Sequence, residues 1–142
     1  MENTGNEIII KSYSHGENDF WQLMGKYFAS YQISKEMGNN IFSDSRYKWW
    51  LAIEKDVVVG FCAAIINNNG TAALCHGYVI PEYRNMGIYK SLFNKRLEYI
   101  LSIDSIKIIN ATVTDISVKP FVKHGFRQIG IRGKYKKVRY EK

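Results

Sequence analysis

Apolar and polar residues along the chain follow spacings that predict a mixed order of strands and helices. An isoleucine-rich run at 7–13 predicts a first strand, and apolar residues spaced by three and four over 17–31 predict a helix. A weaker helical pattern covers 34–38. Two β-rich runs follow at 49–54 and 57–66, and the short polar break between them predicts a hairpin.

The second half of the chain continues the alternation of strands and helices. Asn67-Asn68-Asn69-Gly70 predicts a tight turn, because Asn and Gly tolerate the positive φ that such turns need. Asp115 is expected to N-cap a short helix through Lys123, which Gly125 ends. The remaining predicted elements are a strand at 72–80, a helix reaching Ser102, and strands at 106–113, 126–131 and 135–140.

Pairing the two arms around the Asn-Gly turn predicts a hairpin with one face of small residues. Counting outward from the turn sets Ile66 opposite Thr71 and Cys62 opposite Cys75. A face of small residues leaves room for either a packed helix or an extended ligand. The members of this predicted face are Cys62, Ala64, Ala73, Cys75 and Gly77.

Composition supports one globular domain over 1–142. The sequence is 46% hydrophobic, which is enough for a core and argues against disorder. Its apolar runs are too short to span a bilayer, and its polar start does not resemble a signal peptide, so we expect no membrane association and a cytoplasmic location. Two cysteines and three scattered histidines do not form a recognised metal-ligand pattern, so no metal is expected.

The net charge of +7 is concentrated towards the end of the chain. Such a balance suits anionic partners, although it also serves solubility alone. A cationic polyamine would be repelled by the basic end. The basic residues of this end are Arg132, Lys134, Lys136, Lys137, Arg139 and Lys142.

The junction between the strand at 72–80 and the following helix predicts an anion site. The first N–H groups of a helix have no partner within the helix, and the helix dipole favours negative charge there. Gly87 would let the backbone approach a phosphate closely, and Arg84 would add a cation. A Walker loop and a dinucleotide-binding loop are both excluded, because their glycine patterns are absent.

The same junction resembles the central motif of the GNAT superfamily of acyl-CoA-dependent N-acetyltransferases. That motif is R/Q-x-x-G-x-G/A after a Val-x-Pro-Glu-Tyr lead, and residues 79–88 here are VIPEYRNMGI. Residues 50–61 and 121–126 resemble the flanking segments of the family. The resemblance implies an α/β (α+β) fold with a mixed, mostly antiparallel central sheet of 6–7 strands and about four helices.

The resemblance also implies acetyl-CoA as the acyl donor and assigns its binding residues. The pantetheine arm would pair with the backbone at Gly77, Tyr78 and Val79, and the N–H of Val79 would stabilise the thioester oxyanion. The coenzyme A pyrophosphate would lie on the backbone of Arg84, Asn85, Met86, Gly87, Ile88 and Tyr89.

Two departures from the family pattern concern the catalytic groups. Tyr89 stands where the motif has Gly or Ala, and its ring would either contact the donor or pack into the core. Phe121 stands where many members have the tyrosine that protonates the departing thiolate. Substitute hydroxyls are Ser117, Tyr89 and Tyr135, and the sequence does not choose among them.

The general base is equally open, with Cys75, His76 and Glu82 as the titratable residues near the motif. An imidazole suits proton transfer near neutral pH, but strict alternation sets His76 on the face opposite Cys75 and Gly77. A β-bulge in this strand would reverse that parity. Cys75 is either an acyl-enzyme nucleophile or a buried, unreactive thiol.

The resemblance implies an N-acyltransferase that acts by direct attack of an amine in a ternary complex. The amine would be carried by an anionic partner, which is a protein, a phosphorylated metabolite or a nucleic-acid base. The alternative is a non-catalytic GNAT-fold binding module that contacts nucleic acid through its basic C-terminal surface. A homodimer is compatible with either function.

Overall fold

The computed structural model describes residues 7–37 and 41–142, so the last position of the predicted helical piece at 34–38 lies outside the described residues. The elements occur in the predicted order, with small shifts at their ends. The strands are β1 (Ile9–Ser14), β2 (Tyr47–Glu54), β3 (Val57–Ile66), β4 (Thr71–Val79), β5 (Ile108–Val113), β6 (Arg127–Arg132) and β7 (Tyr135–Glu141). The helices are α1 (Phe20–Phe28), α2 (Tyr31–Met37), α3 (Ile88–Leu101) and α4 (Val118–Lys123), with a 3₁₀ turn at Pro81–Tyr83.

The seven strands form one sheet in the order β1-β2-β3-β4-β5-β7-β6. Every neighbouring pair is antiparallel except β4 and β5, which run parallel. The predicted mixed, mostly antiparallel sheet with about four helices is therefore confirmed. No described helix has the length and apolarity that crossing a membrane would need.

The sheet separates two hydrophobic cores. On one side, Leu92 and Ile100 of α3 are fully buried against the strands, together with Phe121 of α4. On the other side, Phe20 of α1 packs with Trp49, whose indole N–H donates to Ser43 Oγ at 2.9 Å. Burial on both faces explains why the central strands are almost continuously apolar.

The predicted register of the β3–β4 hairpin is wrong by one residue. Ile66 pairs with Ala72 rather than Thr71, because Thr71 lies opposite Asn67 instead, where its carbonyl accepts from the Asn67 N–H at 3.0 Å. A one-residue shift changes the face on which each side chain lies. Ala72 and Leu74, instead of Ala73 and Cys75, therefore share the α3 side with Cys62 and Ala64.

A β-bulge in β4 adds a second irregularity to this hairpin. Phe61 pairs with Tyr78 and Ala63 with Cys75, so Cys62 alone faces the two residues His76 and Gly77. The predicted cross-strand pair of Cys62 and Cys75 is therefore wrong, because Cys75 pairs with Ala63. Both cysteines are free.

The short helix α4 begins later than predicted. Its N-cap position is Ser117, and the predicted cap Asp115 instead forms an ion pair with Lys136 Nζ at 3.0 Å. The helix ends as predicted at Gly125, whose φ of +95° suits glycine. The N–H of Phe126 then donates to the carbonyl of Phe121 at 3.0 Å, which closes the last turn.

Candidate functional site

A cleft opens where β4 and β5 diverge. Their pairing joins Thr71–Leu74 to Ile108–Ala111 and does not extend to the bulged end of β4 in the described strands. The resulting space, which we call the central cleft, has a volume of about 140 Å³. Cys75, His76, Tyr89 and Ser117, the four predicted catalytic residues, all line it. The other lining residues are Met37, Leu74, Gly77, Arg96, Thr112, Val113, Thr114, Phe121 and Tyr135.

The bulge turns His76 towards the α1 side of the sheet, against the parity of strict alternation. Its backbone has a φ of +56°, and its ring stacks on Trp49 with centroids 5.6 Å apart and planes 2° apart. Burial lowers the pKa of His76 from 6.5 to about 4, and no described residue bonds its buried Nδ1. His76 is therefore neutral at pH 7, and it is a weak base there because its conjugate acid forms only near pH 4.

Burial has the opposite effect on the Cys75 thiol. It raises the pKa of Cys75 from 9.0 to about 12, although the Arg96 guanidinium opposes part of this shift. A thiol with such a pKa is protonated at neutral pH, and the thiolate is the nucleophilic form. The geometry therefore favours the unreactive interpretation of Cys75.

The position of the expected phenolic acid is apolar here. Phe121 is 3% exposed and packs edge-on against Phe93 and Phe126, with centroids 4.9 and 5.2 Å away. A phenyl ring cannot donate a proton. Two hydroxyls reach the cleft nearby: Ser117, whose Oγ accepts from Thr114 Oγ1 at 3.1 Å, and Tyr135.

Tyr89 lies partly in the core and also faces the cleft. A Cβ added at Gly77 would come within 2.9 Å of Tyr89 Cε1, so the glycine on β4 makes space for the ring. Burial raises the pKa of the Tyr89 phenol, and the nearby Arg96 guanidinium opposes the shift. The two interpretations of Tyr89, core and donor contact, are thus compatible.

Residues 84–89 lead into α3, and two of them have backbone angles in the left-handed region. Asn85 has a φ of +66° and Gly87 a φ of +81°, and the Ser91 N–H donating to the Gly87 carbonyl begins the helical ladder. A cavity of about 210 Å³ lies against this loop. A Cβ at Gly87 would meet nothing within 4 Å, so the space in front of the glycine is open.

Arg84 lines that cavity, but its guanidinium is already bonded to other residues. Its Nε donates to the carbonyl of Val79 at 2.8 Å, and its Nη2 donates to Glu36 Oε2 at 3.2 Å. The same carboxylate accepts from the Tyr78 hydroxyl at 2.9 Å. Arg84 therefore ties loop 84–89 to β4 and α2, and its charge is paired.

The positive charge near the loop comes from lysines that were not predicted from the sequence. Lys90 lines the loop cavity and also a neighbouring groove of about 290 Å³ between α3 and α4, which we call the lysine groove. Lys119 and Lys123 line the groove from α4, where their spacing of four sets both on one helical face. Met86 is 61% exposed and does not line the loop cavity.

Arg96 is a second charged residue of the site that was not predicted from the sequence. It is 2% exposed, and its Nη1 donates to the carbonyls of Ala63 and Cys75, both at 3.2 Å. It lies four residues from both Leu92 and Ile100, so the helical period set a charged residue inside the apolar stripe of α3. A charged residue at a buried position of the helical pattern was therefore the sequence signal that could have identified Arg96.

Within residues 7–37 and 41–142, no group of three His, Cys, Asp or Glu side chains is arranged to hold a metal ion. The central cleft, the loop cavity and the lysine groove share one wall, Tyr89. The three spaces are therefore neighbours around Tyr89, between the start of α3 and the bulge in β4.

Comparisons with known proteins agree with this architecture. A family model described as an acetyltransferase (GNAT) domain matches residues 9–141. A search of curated proteins found no match.

Solved structures of several acetyltransferases have a similar fold. A GNAT-family acetyltransferase from Staphylococcus aureus Mu50 is 22% identical, with a TM-score of 0.65 over 94% of this chain and 99% of the other. Escherichia coli ElaA is 15% identical, with a TM-score of 0.73 over 95% and 100%. Arabidopsis thaliana NAA60 in complex with acetyl-CoA is 14% identical, with a TM-score of 0.69 over 95% and 98%.

Proposed function

Because the chain belongs to the GNAT acetyltransferase family, we propose that it transfers an acetyl or other short acyl group from acyl-CoA to an amine. The observation that supports this proposal best is the set of three neighbouring cavities around Tyr89, between loop 84–89 and the bulge in β4. The loop cavity suits the pyrophosphate, because the first N–H groups of α3, at Ile88, Tyr89 and Lys90, have no partner within the helix. The lysine groove suits the phosphate that coenzyme A carries besides its pyrophosphate, because Lys90, Lys119 and Lys123 supply positive charge there.

The backbone of β4 would position the thioester. In an antiparallel pair, neighbouring residues direct their N–H and C=O groups to opposite edges of the strand. The Ile80 N–H donates to the Val59 carbonyl on β3, whereas the carbonyl of Val79 accepts from Arg84, so the polar groups of Val79 are directed away from β3, and Val79 lines the loop cavity. The Val79 N–H is therefore our candidate for binding the thioester oxygen.

Transfer needs no covalent enzyme intermediate. The amine nitrogen bonds to the acyl carbon, the C–S bond breaks, and coenzyme A leaves as a thiolate. The nitrogen loses one proton to solvent and becomes the amide. A thiol has a pKa of about 8.5, so this leaving group departs tolerably well without the phenol that Phe121 lacks. Ser117 and Tyr135 are our candidates for protonating it.

The surroundings of the cleft suit an amine that arrives already neutral. No carboxylate lines the central cleft in the described part of the chain, and His76 is a weak base. A buried cation, Arg96, disfavours a second positive charge beside it and so lowers the pKa of an incoming ammonium group. Amines with low intrinsic pKa, such as α-amino groups at about 7.7–8.0, fit best.

We also propose that the acceptor amine is carried by an anionic partner, since β6 and β7 are basic. Part of that charge is paired, with Arg127 to Glu141 at 2.7 Å and Lys136 to Asp115 at 3.0 Å. The cytoplasmic location, the single domain over 1–142 and the homodimer stay predictions. Fractionation of cells and light scattering on the purified chain test them.

A second candidate is a non-catalytic binding module with the same fold. It is favoured by Phe121 at the acid position and by the low pKa of His76, because both remove expected proton-transfer groups. Under this alternative, the basic β6–β7 surface would bind nucleic acid, with an affinity that falls steeply as salt rises.

Calorimetric titration with acetyl-CoA, followed by a thiol-release assay over amines at pH 7, 8 and 9, separates the two functions. We expect micromolar binding, and turnover that rises with pH as more amine is neutral. Absence of binding would refute the acyltransferase. Binding without turnover on any amine, together with salt-sensitive binding of DNA or RNA, would favour the module.

A further inference from the structure

Arg96 is the least explained charge in the molecule. Burying a cation costs several kcal/mol unless an anion accompanies it. None of the ion pairs in the described part of the chain includes Arg96. Its hydrogen-bond acceptors are the carbonyls of Ala63 and Cys75, which carry no net charge. The guanidinium also lies 5.6 Å from the centroid of the Phe93 ring and beside the Tyr89 phenol, and neither group supplies a counter-ion.

The guanidinium also keeps donors to spare. An arginine has five N–H groups, and both hydrogen bonds of Arg96 in the described part of the chain leave from Nη1. Nε is buried and has no partner among the described residues. Support of the β4 bulge therefore explains only part of this side chain.

Arg96 is one of the residues that line the central cleft, so its guanidinium lies at the edge of this space. The cleft is also lined by Thr112, Ser117 and Tyr135, whose side chains are polar but uncharged. A guanidinium that lacks a counter-ion and has free N–H groups is a strong and geometrically specific partner for a carboxylate.

We propose that Arg96 binds a carboxylate in the central cleft, carried either by the acyl chain of the donor or by the acceptor. The inference rests on the proposed acyltransferase function and specifies its substrate class. Arg96 is on α3, the helix that begins in loop 84–89, so the proposed acyl-CoA site is on the same helix. A dicarboxylic acyl-CoA such as succinyl-CoA, or an amino acid, satisfies the requirement.

The first arm compares the binding of succinyl-CoA and butyryl-CoA, whose acyl chains have the same carbon count and differ in the terminal carboxylate. We expect wild-type protein to prefer succinyl-CoA by about 10- to 100-fold, the range for a hydrogen bond to a charged group. Arg96→Met should remove the preference and keep butyryl-CoA binding. Lys95→Met, which removes an exposed charge from the next position of α3, should leave the preference unchanged.

The second arm uses acetyl-CoA as donor and compares standard α-amino acids with their decarboxylated amines by thiol release. A preference for the amino acid that Arg96→Met removes assigns the carboxylate to the acceptor. Arg96→Lys keeps the charge without the planar fork, and it should retain part of whichever preference is found. If Arg96→Met does not fold, the carboxylate preference of Arg96→Lys is compared with that of the wild type, and an equal preference in the two would count against the proposal.

The proposal is overturned if wild-type protein shows no carboxylate preference in either arm while it still binds acetyl-CoA and butyryl-CoA. It is also overturned if the preference persists in Arg96→Met. Failure of the protein to bind any acyl-CoA would instead refute the proposed function. The two failures are thus distinguishable.

Discussion

The buried ring of His76 makes the stability of the protein depend on pH in a calculable way. Its pKa falls from 6.5 to about 4 on folding, because burial against Trp49 disfavours the imidazolium. The unfolded chain therefore binds more protons than the folded one between these values, so stability is present above pH 6.5 and is lost as pH falls towards 4. By linkage, the loss from pH 7 to pH 5 is about 2 kcal/mol.

His76→Asn isolates this contribution. Asparagine does not titrate, and it tolerates the positive φ of position 76 better than most residues. Urea unfolding followed by tryptophan fluorescence at pH 7, 6 and 5 gives the free energy of unfolding of each protein. We expect the wild type to lose about 2 kcal/mol more than the variant over this range. Parallel losses in the two proteins would refute the buried, neutral imidazole and reopen its role as a base.

Three further predictions concern single side chains. Phe121→Tyr returns a phenol to the cleft, and if departure of the thiolate limits turnover we expect a rise of about tenfold or more in the thiol-release assay; an unchanged rate would mean that another step is limiting. Alkylation at pH 7.5 should spare Cys75 in the folded protein and modify it in urea, because burial raises its pKa to about 12; rapid labelling of folded protein, read by mass spectrometry, would contradict the burial. Tyr27→Phe removes the hydroxyl that donates to the Val58 carbonyl and should cost about 1–3 kcal/mol in urea unfolding; a cost near zero would show that water replaces the donor.

The order of strands and helices was predictable because hydrophobic spacing reports local geometry directly. The run at 57–66 coincides with β3, and the apolar stripe of α3 is buried as expected. Loop 84–89 was locatable for the same reason, since its glycine and the following helical period are local signals. The positive φ of Gly87 agrees with the conformation expected there.

The details of the site were less predictable because they depend on contacts between distant segments. A turn that sets Asn67, not Ile66, opposite Thr71 shifted the hairpin by one residue, and the β4 bulge then changed the side on which His76 lies. Neither irregularity has a reliable signal in a single strand. The pairing of Arg84 with Glu36 joins residues 48 positions apart, so the sequence alone suggested a free cation instead.

The position of the donor phosphates is the central claim, and a matched pair of glycine variants tests it most directly. Gly87 and Gly133 both have positive φ, at +81° and +59°, and a Cβ at either would meet nothing within 4 Å. A side chain at either position strains the backbone in the same way, because both have positive φ. Only a side chain at Gly87 would also enter the loop cavity. The measurement is calorimetric titration of acetyl-CoA into Gly87→Trp and Gly133→Trp. We predict at least a tenfold loss of affinity, about 1.4 kcal/mol, in the first variant and wild-type affinity in the second. Equal affinities in the two folded variants would contradict the placement of the pyrophosphate at the start of α3.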